Sequence, residues 1–295
     1  MPSFTRTSFL KSVSEHTQDP HAVLLIHGLR STPLELRPLI TPMKDAGFEV
    51  HAPTAPGAYG MEDGTGRSFE RYEEWAQYFG TYFEDLIARR SRVSLGGLCM
   101  GANLALELAA RFGDRVDSLV LLSTTLFYDG WNVPRSRMLL PLAYYTPLRR
   151  WVSYRETTPY GLKNVRLREW IAAQMRATGG SAAGAAHLPV NAIYQAQRLI
   201  SSVKRKLPKV VAPTLIMHAR EDDVSSLRSA DLVCSRIASH EVIKRVFDDS
   251  YHMLTLDNER DAVAEAAVEF LSRSRRAESA RSQLHLKKTP IAAVA

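Results

Sequence analysis

The run Val93-Ser94-Leu95-Gly96-Gly97-Leu98-Cys99-Met100-Gly101-Ala102 constrains this chain more than any other segment. It reads as a strand, a sharp turn and the start of a helix, in the pattern G-x-C-x-G. Small residues two before and two after the central position let the chain fold back on itself and lift the central side chain to the head of the helix. Gly97 and Gly101 fill those positions, with Cys99 between them. A serine is the usual occupant of such a turn, so the candidate nucleophile here is a thiol. A thiolate at that point faces the partial positive charge of a helix N-terminus, which favours the charged, reactive form.

Around this turn, strands and helices alternate. Ala22-Val23-Leu24-Leu25-Ile26 is a continuous apolar run of the kind a strand shows when both faces of a parallel sheet are covered. A helix is expected from Leu34 to Ala46, a short strand from Glu49 to Ala52, and a helix from about Phe69 to Ala88 whose Tyr72, Trp75, Phe79 and Phe83 form a core face. Val116 to Leu122 reads as the next strand. After Lys206 the alternation resumes with a strand at Pro213 to Met217, a helix through Cys234, a strand at Glu241 to Phe247 and an amphipathic helix from Asn258 to Leu271.

Between Phe127 and Lys206 the pattern changes to helices without an obvious strand, interrupted by Pro134, Pro141, Pro147 and Pro159. The expected organisation is an N-terminal extension at 1–20, a core at 21–125 and 207–271, a helical cap inserted at 126–206, and a basic, disordered tail at 272–295. A chain of 295 residues with 45% hydrophobic content supports one sizeable core with such an insertion. The net charge of +7 is unevenly spread. Residues 126–206 hold thirteen Lys and Arg against three acids, and the tail six against one, which leaves the core acidic. The basicity therefore belongs to the insertion and the tail, where it keeps the surface solvated or meets an anionic partner.

Cys99 and Cys234 form neither a disulfide framework nor a metal-ligand spacing, and no metal or cofactor is expected. Cys234 reads as a buried helix residue. No apolar run reaches the length of a membrane span and no signal peptide is evident, so a cytoplasmic protein is expected. The basic residues carry no recognised nucleic-acid motif, which excludes specific nucleic-acid binding. The tail lacks a basic amphipathic helix with apolar anchors for a membrane surface.

A parallel sheet places reactive groups at the carboxyl ends of its strands. His218-Ala219-Arg220-Glu221-Asp222-Asp223 follows one expected strand and Asp248-Asp249-Ser250-Tyr251-His252 follows another. The chain order Cys99, Asp222, His252 gives nucleophile, acid and histidine in the sequence used by the α/β-hydrolase fold. His252 is the expected general base, and Asp222 the group that holds its ring in the right tautomer. Asp223 is the rival acid, with Asp248 and Asp249 behind it. His27-Gly28-Leu29 ends the first strand, where the backbone N–H of Leu29 joins that of Met100 in an expected oxyanion hole. His27 itself is expected to fix this loop rather than transfer protons.

Taken together, these segments resemble the bacterial carboxylesterase and monoacylglycerol-lipase group of α/β-hydrolases over roughly Ala22 to Leu271. The resemblance rests on Leu25-Ile26-His27-Gly28-Leu29 with Pro33-Leu34-Glu35-Leu36-Arg37-Pro38-Leu39, the elbow, Ala212-Pro213-Thr214 with Ala219-Arg220-Glu221-Asp222, and Ser250-Tyr251-His252 with Thr255-Leu256-Asp257. It implies a mostly parallel sheet flanked by helices with an inserted helical cap, with Cys99, Asp222 and His252 as triad and Leu29 and Met100 as oxyanion donors. Pro56-Gly57-Ala58-Tyr59-Gly60 departs from the Pro-Gly-His-Gly turn of many relatives, and Cys99 departs from their serine. Within the fold a cysteine nucleophile also occurs in dienelactone hydrolases, polyhydroxyalkanoate synthases and some depolymerases.

The resemblance implies carboxylic-ester hydrolysis with an acyl pocket under the cap, where Met138, Leu139, Leu140, Leu142, Ala143, Tyr144 and Tyr145 line a channel or pack the cap itself. The thiol points also to thioester donors, because exchange of an acyl group between two sulfurs is nearly isoenergetic. Coenzyme A and acyl carrier proteins are anionic and suit the basic insertion. The expected function is therefore acyl processing of ester or thioester substrates through an acyl-cysteine. Acyl transfer to an alcohol or amine, and a non-catalytic binding protein of the same fold, are the alternatives.

Overall fold

In the computed structural model the described residues are 20–57, 59–60, 70–134, 137–138, 140–144, 146, 149 and 152–273. Six strands form one sheet: β1 (Ala22–Ile26), β2 (Glu49–His51), β3 (Val93–Leu98), β4 (Leu119–Leu122), β9 (Thr214–Ala219) and β10 (Val242–Phe247). Their order is β10-β9-β4-β3-β1-β2, with every neighbouring pair parallel. The expectation of a parallel sheet flanked by helices is met. The chain runs outward from β1 to β2 and then returns to place β3 on the other side of β1, so the topological switch lies between β1 and β3.

Strand β1 shows why its apolar run is unbroken. Ala22, Leu24 and Ile26 belong to one buried cluster and Val23 and Leu25 to a second, so alternate side chains enter the cores on the two faces of the sheet. Helices α2 (Tyr72–Arg89) and α3 (Met100–Phe112) cover the first face, where Trp75, Phe79 and Phe83 are fully buried. Tyr72, the fourth member of the expected core face, is partly buried against the same cluster and also lines the cavity described below. Helix α1 (Arg37–Asp45) and the final helix, α8 at 260–273, cover the second face. Helix α7 (Arg228–Arg236) carries Cys234, which is half-buried at the edge of the first cluster rather than fully enclosed.

Between β4 and β9 lie α4 (Leu140–Tyr144), α5 (Val165–Thr178) and α6 (Val190–Lys206). Asn164 caps α5 by accepting from the Leu167 N–H, and Gly179 ends it in the left-handed conformation. Contrary to the expectation of helices alone, two small antiparallel ribbons are present. β5 (Ser153–Arg155) pairs with β8 (His187–Pro189), and β6 (Gly180–Ser181) with β7 (Gly184–Ala185). Ala196, Leu199, Ile200 and Val203 of α6 pack into the same cluster as α3. The extension up to residue 19 and the tail from 274 lie outside the described residues.

Candidate active site

Cys99 caps the N-terminus of α3 with φ 57° and ψ −114°, a conformation that costs a non-glycine residue about 1–3 kcal/mol. The two neighbouring glycines make it possible. A Cβ at Gly101 stands 2.0 Å from the Ile26 carbonyl oxygen, and one at Gly97 stands 2.4 Å from the Gly101 backbone. The tight elbow therefore rests on close approach between β1, β3 and the first turn of α3. The Cys99 N–H donates to the Leu122 carbonyl at 2.9 Å, which ties the elbow to β4.

The sulfur lies 3.5 Å from Thr125 Oγ1. The Thr125 hydroxyl proton is directed to the Ser123 carbonyl at 3.2 Å, which leaves its oxygen to accept from the Cys99 thiol. Asn103 Nδ2 donates to the Thr125 carbonyl at 2.9 Å and fixes the segment. Ser123 Oγ donates to the His252 carbonyl at 2.6 Å, so the end of β4 also carries the histidine loop.

His252 Nδ1 is 2.8 Å and 2.9 Å from the two oxygens of Asp222, which assigns the proton to Nδ1. Asp222 Oδ1 also accepts from the N–H groups of Val224 and Ser225, each at 2.8 Å. Burial opposes ionisation of Asp222, but the charge and hydrogen bond of His252 and these backbone donors hold its pKa below the usual value. Burial likewise opposes the imidazolium, yet Asp222 and then Cys99 raise His252 well above the usual histidine value. His252 Nε2 is buried, and the Cys99 side chain acts on the ring both by its charge and by a hydrogen bond. The three residues expected to act together are brought together here.

The rival acids are placed elsewhere. Asp223 accepts the backbone N–H of His252 and that of Gly161, each at 3.3 Å, and so holds the loop rather than the ring. Asp248 binds Arg220 at the exposed surface, and Asp249 lies 3.6 Å from Lys163. Asp257, fully buried, accepts from the N–H groups of Tyr251, Lys163 and Asn164 and fastens the histidine loop to the start of α5.

The two residues expected to donate to an oxyanion come from the loop after β1, Leu29, and from the first turn of α3, Met100. The N–H groups of Leu29 and Met100 have no acceptor among the described residues, and both residues line one cavity with Cys99 and His252. His27 is fully buried; its Nδ1–H donates to the Gly28 carbonyl at 2.8 Å and its Nε2 accepts from the Ala55 N–H at 3.1 Å. Burial lowers its pKa to about 4, so it is neutral and braces the loop, as expected.

Two supports of this loop escaped the sequence reading. Tyr59, from the atypical Pro56-to-Gly60 turn, donates its hydroxyl to the His27 carbonyl at 2.5 Å. Glu35, also buried, accepts the Gly28 N–H with one oxygen and the Ser31 hydroxyl with the other, the latter at 2.5 Å. Thr32-Pro33-Leu34-Glu35 has the spacing of a capping box, which turns a glutamate back to its own helix start. Glu35 turns instead to the loop, and burial raises its pKa to about 7.

The cavity above Cys99 has a volume of about 900 Å³. Of the cap residues expected to line it, Met138, Leu140 and Tyr144 do; Leu142 does not and is 71% exposed, because the short helix α4 turns it outward. Leu139, Tyr145 and the Ala143 side chain lie outside the described residues. Glu156, after β5, also faces the cavity, and burial raises its pKa to about 7. No sequence signal marked it. Among the described residues no group of three or more His, Cys, Asp or Glu is arranged to hold a metal, and no helix is long and apolar enough to cross a membrane.

Known proteins share this architecture. The thermostable monoacylglycerol lipase of Bacillus sp. (strain H-257) is 26% identical over 262 residues, which cover 86% of this chain and 91% of that protein. The carboxylesterase of Bacillus subtilis (strain 168) is 29% identical over 85 residues, 29% of this chain and 35% of that protein. The crystal structure of the Paleococcus ferrophilus monoacylglycerol lipase superposes with a TM-score of 0.69 at 17% identity, covering 86% of this chain and 96% of that one. A structure from the metagenome-derived lipolytic enzymes LipS and LipT gives 0.70 at 22% identity, over 86% and 94% of the two chains. At these identities the solved structures speak for the fold. Residues 18–260 match the Hydrolase_4 family, described as serine aminopeptidase, S33, and the chain belongs to that family of α/β-hydrolases.

Proposed function

We propose that this protein is an esterase- or lipase-type hydrolase that acts through a covalent acyl-cysteine on Cys99. The observation that carries the reading is the buried Asp222–His252 pair beside a cysteine held at the elbow, beneath a cavity large enough for an acyl chain. The His252 ring takes the Cys99 proton, and the sulfur attacks the substrate carbonyl carbon. The N–H groups of Leu29 and Met100 stabilise the oxyanion. The alkoxide or thiolate leaves with the proton from His252, and a water activated by the same ring releases the acid. The two lipase and carboxylesterase relatives support ester bonds as the substrate class.

A second reading, transfer of the acyl group to an alcohol or amine, is favoured by one observation, the sulfur itself. An acyl-cysteine is a thioester, and it passes readily to thiol or amine acceptors. An aryl ester supplied with and without an added amine separates the readings: free acid as the main product supports hydrolysis, and an acylated amine formed much faster supports transfer.

A further inference from the structure

The charged groups of the cavity fall mostly into two zones. Glu35, Asp223 and Glu156 each lie close enough to His252 to interact with it electrostatically, so the carboxyls surround the reacting centre. Arg30, on the loop after β1, donates to the Gly60 carbonyl at 2.9 Å; the other cations of the lining lie on α6 and at Arg137. Tyr194, Gln197, Arg198, Ser201 and Arg205 line the cavity at positions i, i+3, i+4, i+7 and i+11, so they share one stripe of α6 about 17 Å long. Arg198 is held by Glu73 at 2.5 Å and over the Tyr72 ring at 4.9 Å. Arg205 and Arg137 are exposed at the cavity edge and make no ion pair among the described residues.

Lys204, next to Arg205 in the chain but outside the cavity lining, places its Nζ 3.6 Å from the centre of the Phe127 ring, and the Arg228 guanidinium lies 3.9 Å from the same ring. Burial, then the Arg228 charge, lower the Lys204 pKa, with Asp129 alone acting in the other direction. At the cavity edge, the guanidinium forks of Arg205 and Arg137 match phosphate oxygens in pairs.

Resting on the reading of Cys99 given above, we propose that this α6 rim binds the phosphate of a phosphopantetheinyl thioester, making the acyl donor an acyl-coenzyme A or an acylated carrier protein. Gln197 and Ser201 offer partners for the amides of the pantetheine arm. At the floor the Cys99 proton passes to His252, the Cys99 sulfur bonds to the acyl carbon, and the bond from that carbon to the donor sulfur breaks. The donor thiolate takes the proton from His252 and departs as a thiol, so no oxidant or further reactant is needed.

The test compares four donors with one acyl group: acyl-coenzyme A, acylated carrier protein, acyl-phosphopantetheine and phosphate-free acyl-pantetheine, with initial acylation read by intact mass. The phosphate-bearing donors are expected to react about tenfold faster than acyl-pantetheine at low salt, as one charge-assisted contact supplies. In the folded double variant Arg137→Gln/Arg205→Gln the ratio of acyl-phosphopantetheine to acyl-pantetheine falls towards one, and added salt acts in the same direction. Arg176→Gln, exposed on α5 and outside the cavity lining, leaves all four rates unchanged. A carrier-protein rate above that of coenzyme A identifies the carrier as the source, and the reverse identifies the nucleotide. Equal rates for acyl-pantetheine and acyl-phosphopantetheine in the wild type, or a ratio unaltered in the double variant, overturn the rim proposal while Cys99 still becomes acylated. Acylation by none of the four donors nor by an aryl ester overturns the reading of Cys99 instead, and the rim proposal with it.

Discussion

Asp222 meets His252 with both carboxylate oxygens, at 2.8 Å and 2.9 Å from Nδ1, while its neighbour Asp223 holds the backbone of the same histidine. One residue of register separates the two tasks. The Val224 and Ser225 N–H groups after β9 hold one oxygen of Asp222 and fix its orientation toward the histidine.

Asp222→Asn is expected to lower kcat by about 10³- to 10⁴-fold, since an amide holds the wrong tautomer. Asp223→Asn is expected to cost far less, and steady-state kinetics of the two variants check the difference. The pair also stabilises the fold. Because the folded pKa of His252 is raised, its contribution is fully present below about 6.5 and is lost as pH rises through the raised value. A Tm-against-pH series is expected to show that alkaline loss in the wild type and not in Asp222→Asn.

Glu35 and Glu156 give a dependence of the opposite kind. Both have folded pKa values raised from 4.5 to about 7, so the folded state holds their protons more tightly than the unfolded chain. Their neutral forms favour the fold below about pH 4.5, and that advantage declines as pH rises to about 7, by at most about 3 kcal/mol each. Glu35→Gln, which keeps an acceptor for the Gly28 N–H, is expected to flatten this part of the Tm profile, as is Glu156→Gln. Glu35→Ala, which leaves the Gly28 N–H and the Ser31 hydroxyl without partners, is expected to lower kcat through the oxyanion loop; urea titration and kinetics at pH 5 and 8 separate the effects.

Gly101→Ala drives a methyl group into the Ile26 carbonyl, 2.0 Å away, with backbone on both sides and nothing flexible to yield. The expected outcome is loss of soluble folded protein, as large as the most severe single substitutions, of about 4–5 kcal/mol or more. Gly113→Ala is the control. It has space around it, so its cost is limited to its φ of +59°. Circular dichroism melts of the two variants check the contrast.

The two thiols are expected to differ in alkylation. Burial raises the pKa of Cys234 on α7, whereas Cys99 lines the cavity beside His252. Limiting iodoacetamide near pH 7 is expected to add one label, mapped by peptide mass to Cys99, with slow labelling of Cys234 alone in Cys99→Ala.

The parts of this architecture legible in the sequence are those where one physical constraint acts within a few residues. The elbow announces itself because Gly97 and Gly101 tolerate no side chain, and β1 because both of its faces are buried. The order of Cys99, Asp222 and His252 is readable because each follows a strand whose end faces the same edge. Glu35 was not legible, because a glutamate three residues after Thr32 looks like a local cap, and only the fold brings Gly28 to it. Tyr59 and Glu156 act across long stretches of chain and leave no local pattern. β5 to β8 are two or three residues long, too short to display an alternating period.

The most direct measurement is the intact mass of the protein after brief mixing with an aryl ester or an acyl thioester, in the wild type and in Cys99→Ala. The account predicts one added acyl group in the wild type, located on the Cys99 peptide and cleared with turnover, and neither adduct nor appreciable turnover in Cys99→Ala. A wild type that turns over substrate without an adduct, together with a Cys99→Ala variant that retains the same rate, would contradict it.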